Sequence, residues 1–162
     1  MNRTDRNTEL DSLIALLQES YIRKAWHGPN LRGSLRGLTT SQVLWRPAPG
    51  RHNIWEIMIH CAYWKYVVRR RITGEKKGSF PLDGSNWFES PAALSPFTLR
   101  QDLALLNDTH ETLMDEISGL SPKQLSIIPK NSKVDNRTII RGIASHDVYH
   151  AGQIQLLKKL QH

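Results

Sequence analysis

The sequence predicts an all-α protein, a four-helix bundle with a long crossover between the second and third helices. Three observations carry this. Four long stretches place apolar residues at three- and four-residue steps, the rhythm of one-sided helices. No stretch shows the strict alternation of a half-buried strand. One aperiodic segment of about twenty residues, Glu75 to Pro96, divides the chain.

The first long helix is expected from about Thr8 to Trp26, on the stripe Leu10, Leu13, Ile14, Leu17, Tyr21 and Ile22. His27-Gly28-Pro29 ends it, because Gly and Pro break helices. Leu31 to Trp45 holds one or two short turns, with Thr39-Thr40-Ser41 as a capping cluster. Pro47-Ala48-Pro49-Gly50 forces a break. The second long helix starts after the N-cap Asn53 and reaches Thr73-Gly74. Its inward stripe contains Ile57, His60, Trp64 and Val67.

The aperiodic crossover, with Pro81, Pro91 and Pro96, suits a connection between helices that run parallel. The third helix is expected to open with Thr98 as N-cap and Gln101 at N3. Leu99, Leu103, Leu106, Leu113 and Ile117 form its stripe up to Gly119. Ser121 to Leu125 reads as a short turn, and Lys130 to Arg137 as a polar loop. The fourth helix spans about Thr138 to Leu160, with an inward seam of Ile139, Ile143, His146, His150, Gln153 and Leu157.

Composition bounds the class. A chain of 162 residues fits one domain, here taken as 1–162. No apolar run approaches the roughly 18 residues of a membrane span. Met1 to Arg6 lacks an apolar signal core and Cys61 is the single cysteine, so a cytoplasmic, reducing location is expected. The formal charge of +7 raises nucleic acid as a partner. The densest basic run, Arg69-Arg70-Arg71, instead falls at a helix C-terminus, where cations complement the dipole, and no nucleic-acid motif accompanies it.

His146 and His150 sit four apart and therefore on one helical face. Two imidazoles so placed can grip one divalent ion, and His60 can complete a three-histidine site with a position open for water or substrate. The rival reading is a set of core histidines satisfied by hydrogen bonds. Three titratable rings in one core would then need several partners. An ion held by three neutral imidazoles keeps its full charge and can activate either a water or a thiol. Ligand spacing alone does not choose between hydrolysis and thiol chemistry.

Position 147 is Asp, so His146 to His150 is not a zinc-protease motif. Weaker catalytic candidates are Glu56, as a base or a helix-start dipole partner; Asp147, as an orienting carboxylate or a salt-bridged one; and Gln153, as a bond to water or substrate. Trp64 can wall the pocket, Tyr149 is read as packing, and Cys61 as a small buried hydrophobe. His27, His52, His110 and His162 are not assigned as ligands.

The segment His146-Asp-Val-Tyr-His-Ala-Gly-Gln153 resembles the C-terminal His-x-x-x-His-x-Gly-Gln stretch of the DinB/YfiT-like superfamily. Trp26-His27-Gly28-Pro29, the turn Arg46 to Gly50, and Asn53 to His60 are similar to its upstream elements, in the same order. The resemblance implies a four-helix bundle binding one divalent ion, zinc or nickel, through His60, His146 and His150. It also implies homodimers, and relatives that use low-molecular-weight thiols for S-transfer or isomerisation. The resulting expectation is a metal-dependent thiol S-transferase or hydrolase acting on a small molecule. A non-catalytic metal- or ligand-binding bundle is the alternative.

Overall fold

The computed structural model describes residues 8–76, 78 and 80–161. The Met1 to Arg6 segment and His162 lie outside them. Seven helices follow one another: α1 (Thr8–Tyr21), α2 (Leu31–Ser34), α3 (Thr40–Leu44), α4 (Ile54–Thr73), α5 (Pro96–Ser118), α6 (Pro122–Leu125) and α7 (Asn136–Leu160). No strand occurs among the described residues, which fits the all-α expectation.

Local chemistry sets the ends. Asn53 accepts the Glu56 amide at 2.9 Å and starts α4; Gly74 closes it at φ +74, a left-handed conformation that costs glycine little. Helix α1 stops at Tyr21 rather than Trp26: Ile22 is exposed, Trp26 is fully exposed, and Asn30 Nδ2 donates to the Arg23 carbonyl at 2.6 Å. The apolar stripe gives out there, so nothing repays a further turn. Helix α5 is capped by Ser95, not Thr98; Ser95 accepts the Thr98 amide at 3.0 Å with Pro96 just inside the first turn. Proline fits there because its missing N–H would have had no helical partner. Asp135 caps α7, so the helix begins two residues before the expected start; its side chain accepts the Thr138 amide at 2.9 Å.

The four long helices enclose two apolar cores. Helix α4 supplies Ile54 to Ala62 to the first and Val68 to the second. Helix α5 runs the same way, from Leu99 and Leu106 to Leu113 and Ile117. Helix α7 runs oppositely; Ile139 and Ile143 lie in the second core, Ile154 and Leu157 in the first. Helix α1 also starts in the second core, at Leu10, and ends in the first, at Tyr21. The crossover thus joins two helices of like direction. Between the cores lies a buried polar layer containing His60, Lys65, His110, Asp147 and His150.

Candidate metal centre

Helix α4 presents His60, and one turn apart on α7 stand His146 and His150. Their Nε2 atoms converge: His60 to His146 at 3.0 Å and His150 to His146 at 3.1 Å. The three side chains offer ligand atoms within 4.8 Å of one another.

Two of the rings are fixed from behind. The His60 Nδ1–H donates to the Asn86 carbonyl at 2.7 Å, and the His150 Nδ1–H donates to Gln153 Oε1 at 2.6 Å. Each bond puts the proton on Nδ1 and leaves the Nε2 lone pair facing the cluster. Gln153 is itself oriented by donating to the Tyr149 hydroxyl at 3.0 Å. Burial pushes all three rings toward the neutral form. His146 falls to about 3, with its neighbours His150, His60 and Lys65 adding to the effect. His150 falls to about 4 despite the Gln153 bond, and His60 is lowered despite the Asn86 bond. Convergent lone pairs on neutral imidazoles repel each other; a divalent cation among them turns that repulsion into coordination. The residues therefore fit a divalent ion.

The crossover contributes groups that helical periodicity does not reveal. Asn86 takes φ +63, a left-handed conformation asparagine tolerates better than most residues. Its backbone carbonyl serves His60, and its side chain accepts the Trp64 indole N–H at 2.9 Å. Trp87 is stacked between His60 at 3.8 Å and His52 at 3.7 Å. His52, unassigned from sequence, thus braces the site through Trp87.

Glu56 lies one turn before His60 but is engaged elsewhere. Arg46 grips both its oxygens, the His52 ring lies 2.9 Å from Oε2, and the Ser90 amide donates at 3.3 Å. Burial alone would raise this carboxyl, but the bonds from Arg46, His52 and Ser90 win and lower it to about 2. Glu56 is thus the knot tying the Arg46 turn and the crossover to α4. Asp147 is fully buried, 2.5 Å from the equally buried Lys65 ammonium. Cys61 is buried, and its Sγ lies within 4.8 Å of ligand atoms of His146 and Asp147. The Lys65 charge at Asp147 disfavours a second cation there. His110 is buried too, stacked at 3.7 Å on Tyr21, with burial lowering it to about 3.

Two grooves reach the cluster from different sides. One of about 250 Å³ is lined by Trp64, Arg71, Ile139, Ile143 and His146. The other, about 560 Å³, is lined by Arg51, His52, Trp87, Tyr149, His150 and Gln153. Each carries one arginine and otherwise much apolar or aromatic surface.

A sequence profile of the DinB superfamily matches residues 23–154, most of the chain and all three histidines. The chain belongs to the DinB superfamily. No curated protein and no solved structure matches it. Helix α1, which lays Ser20 and Tyr21 against the buried polar layer, precedes the segment matched to the superfamily.

Proposed function

We propose that this DinB-superfamily protein is a divalent-metal-dependent enzyme that acts on a small molecule by thiol S-transfer or hydrolysis, with His60, His146 and His150 as ligands. The observation that carries the reading is the convergence of three Nε2 atoms, two of them with the opposite nitrogen already held by an acceptor. Zinc and nickel both suit an all-imidazole set. Such an ion, when bound, supplies positive charge that stabilises a developing anion on oxygen or sulfur. The chain's part is to hold the three rings neutral and oriented, and to limit access to the two grooves.

Those grooves favour transfer over hydrolysis. Two reactants can approach one centre from the His146 and His150 sides, whereas hydrolysis needs room for one organic substrate and a water. Arg51 and Arg71 suit carboxylate or other anionic groups, so a low-molecular-weight anionic thiol fits one groove and an apolar electrophile the other. We further propose a homodimer. Tyr149, Leu156 and Leu160 are exposed along one face of α7, an uncovered apolar stripe.

The test is turnover of an electrophilic acceptor with a panel of small thiols, against ester hydrolysis without thiol. Both are measured before and after chelation and on return of one metal. Thiol-dependent, metal-restored transfer supports the reading. A protein that binds the metal tightly and turns over neither class is the non-catalytic bundle.

A further inference from the structure

The three imidazoles are not equally supported. His60 and His150 each have an acceptor on Nδ1, but His146 Nδ1 is buried without a hydrogen-bond partner. Its sequence neighbour shows the complementary defect. Asp147 Oδ2 takes the Lys65 ammonium, while Oδ1 is buried with no partner. The Ser20 hydroxyl stands beside this carboxyl and 3.0 Å from the Leu17 carbonyl; its one proton serves one of them at a time, and a carboxylate oxygen has a second lone pair for another donor. A His146 ring nitrogen and an Asp147 carboxylate oxygen lie within 4.8 Å, and His146 Nε2 already faces the other two histidines. The two orphaned atoms belong to adjacent residues and make no direct bond, and a gap of up to about 5 Å is one that a single water spans with two ordinary hydrogen bonds.

We propose that Asp147, clamped by Lys65, is the positioning residue of His146: its free oxygen accepts the Nδ1 proton through one bridging water and so aims Nε2 at the cluster. This rests on the metal reading for its purpose, but not for its geometry. It would make the three ligands alike, each with an oxygen acceptor behind it: a backbone carbonyl, a side-chain amide and a carboxylate. Lys65 has a defined part. Fully buried, with its ammonium over the Tyr21 ring at 4.8 Å, it donates to Asp147 Oδ2 and so fixes which oxygen is left for His146. As a pair, Lys65 and Asp147 bring no net charge toward the ion. A bare carboxylate beside His146 would instead invite a second cation with Cys61.

The rival is an ion pair that only fills the core. Asp147→Asn alone strands the Lys65 charge and is expected to unfold the protein. The useful variant is Lys65→Met with Asp147→Leu, because buried ion pairs are often replaced by apolar side chains without loss of stability. On zinc-loaded full-length chain, NMR of the imidazole N–H protons reads whether each Nδ1–H is hydrogen-bonded and protected from exchange, and zinc competition against a chromophoric chelator reads affinity. In the wild type we expect a slowly exchanging Nδ1–H at His146, as at His60 and His150. We expect the double variant to stay folded, to lose that protection at His146 alone, and to bind zinc about 10- to 100-fold more weakly. A zinc-loaded wild type whose His146 Nδ1–H exchanges freely overturns the proposal, whether or not the variant folds. So does a folded variant with unchanged exchange and zinc affinity. A wild type that binds no zinc overturns the metal reading itself, whereas a freely exchanging His146 Nδ1–H in zinc-loaded protein overturns the positioning role alone.

Discussion

His60 Nε2 stands 3.0 Å from His146 Nε2 although 86 residues separate them in the chain. Helices α4 and α7 meet at the level where one apolar core gives way to the other. That seam is where buried polar groups can gather without interrupting either core.

Gln153 orients His150 without touching the cluster. Gln153→Ala should leave the fold intact, since the residue is half-buried and bonds only within its own helix face. Zinc affinity should fall about tenfold, the low end for losing a group that orients a metal ligand. Gln153→Glu, which keeps an acceptor, should recover most of it. Chelator competition on the two variants checks both expectations.

Arg46 is the main partner of a buried carboxylate. Arg46→Ala should cost on the order of 2 kcal/mol, the range for hydrogen bonds to a charged group, because Glu56 keeps His52 and Ser90. The loss is read as a lower urea midpoint with an unchanged slope. Arg46→Lys should recover only part, since an ammonium cannot make the paired bonds of a guanidinium.

The buried rings set an acid limit. His110 is lowered to about 3 by burial, against about 6.5 in an unfolded chain. Below pH 6.5 the unfolded state therefore takes up a proton that the folded state refuses, and stability falls as pH drops toward 3. Glu56 acts at lower pH. Its folded value of about 2 lies below the unfolded value near 4.3, so its contribution is present above pH 4.3 and is lost toward 2. His110→Leu should make the stability profile of metal-free protein less steep between about pH 6 and 4, while leaving the Glu56 limb. An unchanged slope in that window would contradict the assignment.

Trp87 stacks on His60 and should report the centre optically. Nickel binding should quench tryptophan emission, and Trp87→Phe should remove much of that quenching while keeping a ring against His60. Equal quenching in both proteins would place the ion elsewhere.

The helices and the three histidines were legible because a helix repeats: the four-residue step of His146 and His150 and the stripe through His60 fix their faces from spacing alone. Capping was less legible. Ser95 and Thr98 both offer hydroxyls, and only the fit of Pro96 to the first turn decides between them. The supports of the site were not readable from periodicity. Asn86 acts through a backbone carbonyl that any residue would carry, Trp87 lies in an aperiodic crossover, and Lys65, unassigned from sequence, gains a part only when Asp147 is placed beside it. His110 read as lying off the main stripe of its helix, yet the structure buries it against Tyr21.

The most direct measurement is the metal content of purified, tag-free protein beside His146→Ala. About one zinc or nickel ion per chain, absent from the variant, is the predicted result. No metal in fresh protein and none taken up on reconstitution with either ion would contradict the three-histidine centre.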